Sequence, residues 1–144
     1  METTKLTKEM IAKDVNYKMS GLGRIIETDY LIDFVEGEII TIDREESWLM
    51  PGGQFIPENI YEYSYSFTCI NELEGHKVDY ANEEETYILG CEDCEHEQEV
   101  LIPAGAMYRV LTNSCHENQQ DMGFDEIQLE FLGFKKEMGS NENV

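Results

Sequence analysis

A chain of 144 residues with 41% apolar content is long enough for one folded domain, burying roughly 68% of the surface its unfolded form exposes, which excludes a wholly disordered protein. Thirty-one acidic residues against ten basic ones leave a net charge of −21, so no basic face is offered to nucleic-acid phosphates or anionic membranes, and direct binding of either is excluded. A basic protein partner is drawn to such a surface, although solubility alone also accounts for the charge.

The opening METTKLTKEM has no apolar core of a signal peptide, and the apolar runs fall well short of the ~20 residues that span a bilayer. The expected location is cytoplasmic, where four cysteines are thiols or metal ligands more often than disulfides. Along the chain, Leu6, Met10, Ile11, Val15 and Met19 keep a loose helical spacing over 4–19, and SGLG at 20–23 closes it. Strands are then expected at 30–35, 38–43, 61–70, 86–90, 98–103, 107–112 and 126–134, separated by turn-rich stretches at 50–53, 71–85 and 115–123. This is the pattern of one α+β domain, residues 1–134, dominated by antiparallel strands, with a frayed acidic tail at 135–144.

The strand YEYSYSFTCI at 61–70 alternates cleanly: Tyr61, Tyr63, Tyr65, Phe67 and Cys69 share one face, and Glu62, Ser64, Ser66 and Thr68 the other. The aromatic face packs on a core. The hydroxyl face points to solvent or to a ligand.

Residues 97–103 read Glu97-Gln98-Glu99-Val100-Leu101-Ile102-Pro103. If they are extended, Glu97 and Glu99 share a face and can form an acid/base pair. The bare E-x-E spacing carries little, because composition repeats it at 36/38, 72/74, 83/85 and 95/97. Its context carries more: the run continues through Gly105 to Tyr108-Arg109-Val110, and a closing EIQLEFLGF follows at 126–134. This resembles the carboxylate motif of the mono-ADP-ribosyltransferases of toxin, ecto-enzyme and phage type, in which E-x-E or Q-x-E runs into V-L-[LI]-P. Ser66-Phe67-Thr68 is similar to the family's upstream Ser-x-Ser or Ser-x-Thr strand.

The resemblance implies an ADP-ribosyltransferase-like fold of two packed sheets behind an N-terminal helix, with NAD as cofactor. By it, Glu99 stabilises the oxocarbenium-like transition state, Glu97 orients and deprotonates the acceptor, and Ser66, with Thr68 on the same polar face, supports the nicotinamide ribose. The family's pyrophosphate-binding arginine corresponds to Arg24 or, in NYKMSGLGRI, to Lys18, a point charge in place of a fork; Arg44 reads as a turn residue. A glutamate at the first motif position implies arginine as acceptor on a target protein with a basic surface. The segment Glu92 to His96 falls where the family recognises that target.

Cys91, Cys94 and His96, with Cys115 and His116, have a spacing compatible with zinc, though only one half of a paired C-x-x-C is present; Cys69 is expected in the core. Trp48 is expected to anchor a loop, His76 to be solvated, Met10, Met19 and Met107 to fill the core, and Glu83-Glu84-Glu85 to form a solvated turn. Two functions remain open. One is an NAD-dependent protein mono-ADP-ribosyltransferase. The other is an acidic, non-enzymatic inhibitor or nucleic-acid mimic that binds a basic protein.

Overall fold

The computed structural model describes residues 6–51, 63–90, 97–114 and 125–135. Their elements are α1 (Lys8–Lys13), β1 (Tyr17–Met19), β2 (Leu22–Thr28), β3 (Ile39–Ile42), β4 (Glu46–Leu49), β5 (Tyr63–Cys69), β6 (Leu73–Lys77), α2 (Glu83–Leu89), β7 (Glu99–Ile102), β8 (Ala106–Asn113) and β9 (Asp125–Phe134). The architecture is α+β: mostly strands, joined in one mixed sheet, with two helices among the described residues.

Among the described residues the sheet has nine strands, in the order β1-β6-β7-β4-β2-β5-β9-β8-β3. Its pairings are antiparallel except between β5 and β9, which run parallel. β4 and β8 stand four places apart in that order, which in a flat sheet would separate them by ~19 Å. Yet the Trp48 and Tyr108 rings lie 5.7 Å apart, and the Tyr108 hydroxyl donates to Glu46 Oε1 at 2.8 Å. The sheet therefore curls until its two halves face each other. What the resemblance implied as two sheets is, in the described residues, one continuous sheet with an inner and an outer face.

The inner face holds the core. Tyr65, Phe67 and Cys69 of β5 are buried on the face that the alternation assigned to them, alongside Leu22, Trp48, Val100, Ile102, Tyr108, Val110, Ile127 and Leu129. Burying each large side chain contributes about 1.5–3 kcal/mol. A second, smaller cluster lies outside: Ile11 and Ala12 of α1 pack on Leu101 of β7, with Leu6, Ile88 and Leu89 around them.

Several expected elements differ. The helix expected over 4–19 is the six residues of α1, capped by the Thr7 hydroxyl, which accepts from Met10 N–H at 3.2 Å, and Tyr17–Met19 pair as a strand. Residues 30–35 are not a strand. Ile32 N–H donates to the Tyr65 hydroxyl at 2.7 Å, and the Phe34 carbonyl accepts from Asn113 Nδ2 at 2.8 Å, so side chains take the place of a ladder. Residues 86–90, expected extended, close the helix α2: the Asn82 side chain accepts from Glu85 N–H, and Gly90 ends it at φ 68°. The acidic run at 83–85 is that helix's first turn, where carboxylates favour the dipole, and Glu85 is buried.

β6 lies within the stretch expected to be turn, and Trp48 is at the heart of β4 in place of a loop. His76 is buried, not solvated. Met10 is exposed and does not fill the core, whereas Met19 packs against it. Tyr61, Glu62, the cysteine and histidine positions 91, 94, 96, 115 and 116, and residues 136–144 lie outside the described residues.

Candidate functional site

Ladder registers assign each expected site residue to a face, since directly opposed residues share a side and successive ones alternate. Thr68 stands opposite Gly23, Gly23 opposite Leu49, and Leu49 opposite Glu99. Ser66 is opposite Ile25, two residues along from Gly23. Ser66, Thr68 and Glu99 are therefore together on the outer face. Arg24 is opposite Phe67 and belongs to the inner face.

The outer-face residues share a side without converging. Thr68 and Glu99 fall in one row but three strand spacings apart, ~14 Å. The Glu99 carboxylate accepts from Ser47 Oγ of the neighbouring strand, and its N–H donates to the Tyr80 hydroxyl at 2.9 Å. Glu97 precedes β7, and Gln98 between the two glutamates has φ 50°. That left-handed residue breaks the alternation on which a same-face pair depended. Lys18 is exposed on β1 at one edge of the sheet, opposite Glu74, away from both Glu99 and Arg24.

Arg24 instead opens into a cleft of about 810 Å³ between the two halves of the curled sheet, within the range of small-molecule sites. Its walls are apolar and aromatic, including Ile26, Phe67, Trp48 and Tyr108, and its polar groups include Arg24, Arg44 and Glu46. Two of the three arginines in the chain thus line one cleft. Parity explains the placement: Glu46 and Trp48 alternate with Ser47 and Leu49, so the inward side of β4 carries both a carboxylate and an indole.

Arg24 donates through an Nη to the Ser47 carbonyl at 2.8 Å and holds its Nε 3.7 Å from Glu46 Oε2. Burial lowers the Arg24 pKa and so does Arg44, while Glu46 and Tyr108 act the other way. Burial raises the Glu46 carboxyl, against the Tyr108 hydrogen bond, the Arg24 charge and the Trp48 indole. Tyr108 is pushed up by burial and by the Glu46 carboxylate it donates to. Trp48 Nε1 is buried with no acceptor within hydrogen-bond distance among the described residues, though near enough to Glu46 to favour its charged form. Tyr108 and Arg24 thus hold a buried carboxylate in place while part of the guanidinium remains exposed to the cleft. The cleft can take an anionic group at Arg24 and Arg44 and an apolar ring against the aromatic wall.

Glu46 was not among the residues singled out from sequence, although its two-residue spacing from Trp48 marks it as core-facing once 46–49 is known to be a strand. Among the described residues, no group of three His, Cys, Asp or Glu side chains is arranged to hold a metal ion, and no helix is long and apolar enough to cross a membrane.

No protein-family profile and no curated protein matches the chain. Among solved structures it is similar to the type III effector XopAI from Xanthomonas axonopodis pv. citri, with a TM-score of 0.50 and 17% identity over 81% of this chain and 43% of the effector's. A form of that effector with a 70-residue N-terminal truncation gives a TM-score of 0.46 and 16% identity, over 81% of this chain and 46% of the other. The likeness is one of fold, and the chain spans less than half of the effector's length.

Proposed function

We propose that this domain is an NAD-dependent protein mono-ADP-ribosyltransferase that takes its dinucleotide in the Arg24 cleft and modifies an arginine on a basic target. The observation that carries this is the gathering of Arg24 and Arg44 in one aromatic cleft of a chain with charge −21. Together with the E-x-E-V-L-I-P resemblance, that cleft favours a ligand with a pyrophosphate and a ring. Arg24 grips the pyrophosphate through its fork, and Trp48 and Tyr108 pack the apolar parts.

The reaction breaks the bond between ribose C1′ and the nicotinamide nitrogen, which leaves with the electron pair. The acceptor nitrogen then bonds to C1′ and loses a proton. A carboxylate stabilises the positive charge that develops on the sugar. In the cleft that carboxylate is Glu46, whereas Glu99 on the outer face braces β7 against β4 through Ser47. The finer fold assignment, an ADP-ribosyltransferase-like arrangement of two layers, belongs to the same proposal.

The test is calorimetric titration with NAD, followed by incubation of labelled NAD with a cell lysate. Arg24→Ala is expected to weaken NAD binding by about tenfold or more, as loss of a hydrogen bond to a charged group does. Glu46→Gln is expected to keep binding and lose labelling, while Glu99→Gln keeps both. No labelled band, together with no effect of NAD on the melting temperature, would sink the proposal. The net charge favours a second reading, an acidic non-enzymatic inhibitor or nucleic-acid mimic. It predicts binding to a basic protein that is competed by DNA and indifferent to NAD and to Glu46→Gln.

A further inference from the structure

The connection from β2 into β3 is unlike the rest of the surface. Tyr30, Leu31, Val35 and Ile39 are 65%, 51%, 53% and 51% exposed, four of the eight exposed large hydrophobics among the described residues, within one ten-residue stretch. Between them stand Asp33, Glu36 and Glu38, all exposed, and no lysine or arginine occurs from residue 25 to 43. Singly exposed apolar side chains are ordinary, but four within ten residues are not. Tyr30 lies against the end of β2, its carbonyl accepting from the Thr28 hydroxyl at 2.6 Å, whereas Val35 lies in the turn that enters β3 and Ile39 is its first residue.

This run leads directly into β3, the last strand of the sheet order. The Glu38 carbonyl accepts from Val110 N–H at 2.9 Å and the Ile42 carbonyl from Gly105 N–H at 2.7 Å, so the even-numbered residues turn their backbone towards β8. By the alternation of an antiparallel ladder, Ile39 and Thr41 turn their N–H and C=O groups the other way. Nothing among the described residues pairs with that edge. An open edge beside apolar side chains is a template for strand addition.

We propose that the outer edge of β3 docks an extended segment of another protein in which lysine or arginine alternates with apolar side chains. Backbone groups of Ile39 and Thr41 pair with the added strand, Val35 and Ile39 receive its apolar side chains, and Asp33 and Glu36 receive its cations. A second copy of this chain is a poor occupant, because it would bring an acidic edge against an acidic edge at a charge of −21 apiece. The surface adds to the transferase proposal a means of holding a basic target near the cleft, whose wall includes Ile40 and Ile42. It does not depend on that proposal, since docking is measured without NAD.

The experiment is fluorescence anisotropy with a labelled eight-residue peptide alternating lysine and valine, set against one alternating glutamate and valine. Wild type is expected to bind the lysine peptide only, with the Ile39 and Thr41 amides gaining protection from hydrogen exchange. Thr41→Pro removes an outward N–H while leaving the bonds of the even-numbered residues to β8, and proline is tolerated at such an edge. It is expected to weaken binding by about tenfold or more, and Asp33→Lys with Glu36→Lys to do the same. Three outcomes overturn the proposal: no binding of the lysine peptide by wild type, protection at residues away from β3, or self-association through this edge. The exchange measurement on wild type stands even if a variant fails to fold.

Discussion

His76 has acceptors at both ring nitrogens, and the Asn16 side-chain amide nitrogen also lies 3.3 Å from Nδ1. Nε2 lies 2.8 Å from a Glu85 carboxylate oxygen, and Nδ1 lies 2.9 Å from the Asp14 carbonyl and 3.3 Å from the Asp14 carboxylate. Burial opposes the imidazolium, but the Glu85 hydrogen bond, the Asp14 carbonyl and the two carboxylates outweigh it, and the pKa is raised above 6.5. A raised folded pKa means that the protonated ring contributes its full stability below the unfolded value, near 6.5, and loses it as pH rises through the folded value. Wild type should therefore exceed His76→Gln in urea midpoint most at pH 6, with the gap narrowing from there towards pH 9. A gap that is constant across that range would show that folding leaves the ring's pKa unchanged, and one that widens with pH would show that the ring is held neutral. The sequence concealed this residue because both partners are distant or misassigned: Asp14 lies 62 residues away, and Glu85 falls in a run that reads as a solvated turn. Arg24 was legible as a candidate cation, but its buried neighbour Glu46 was not, since a lone glutamate in so acidic a chain carries no signal of its own.

At the scale of elements, long alternating strands were readable, as were the short β3 and β7 with their apolar runs, whereas β1, β2, β4 and β6 were not. β5, β8 and β9 carry buried residues at every second position over much of their length, so pattern alone located them. β2 was obscured by the turn-like SGLG at 20–23 that ends inside it, and β4 by offering two inward residues of which one is a glutamate. The segment at 86–90 offered apolar residues of either period, and the caps at Asn82 and Gly90 decided for helix. Gly75 of β6 shows how tightly these short elements pack. A Cβ there would lie 2.6 Å from Ile102 Cδ1 and 2.7 Å from the Leu101 carbonyl oxygen, and the latter is backbone that cannot swing aside. Gly75→Ala is expected to cost about 1–3 kcal/mol through overpacking, read as a lower denaturation midpoint with an unchanged slope. A neutral result would mean that β6 lies farther from β7 than this packing places it.

For the molecule as a whole, a charge of −21 on one curled sheet opposes compaction. Screening shortens from ~30 Å at 0.01 M salt to ~3 Å at 1 M, so the melting temperature should rise with sodium chloride across that range. A flat or falling curve would mean that favourable ion pairs, such as Arg109 with Glu130 at 3.3 Å, outweigh the repulsion. The amino-acid order alone carried the α+β class, the buried face of β5, a strand within 98–103 and the acidity of the chain. These follow from composition and from side-chain periodicity, which are local. It took the folded chain to set Arg24 back to back with Ser66, Thr68 and Glu99, and to bring Glu46, Trp48 and Tyr108 into its cleft. Which face a strand presents depends on its register with neighbours distant in sequence, and which residues meet across the cleft depends on how far the sheet curls.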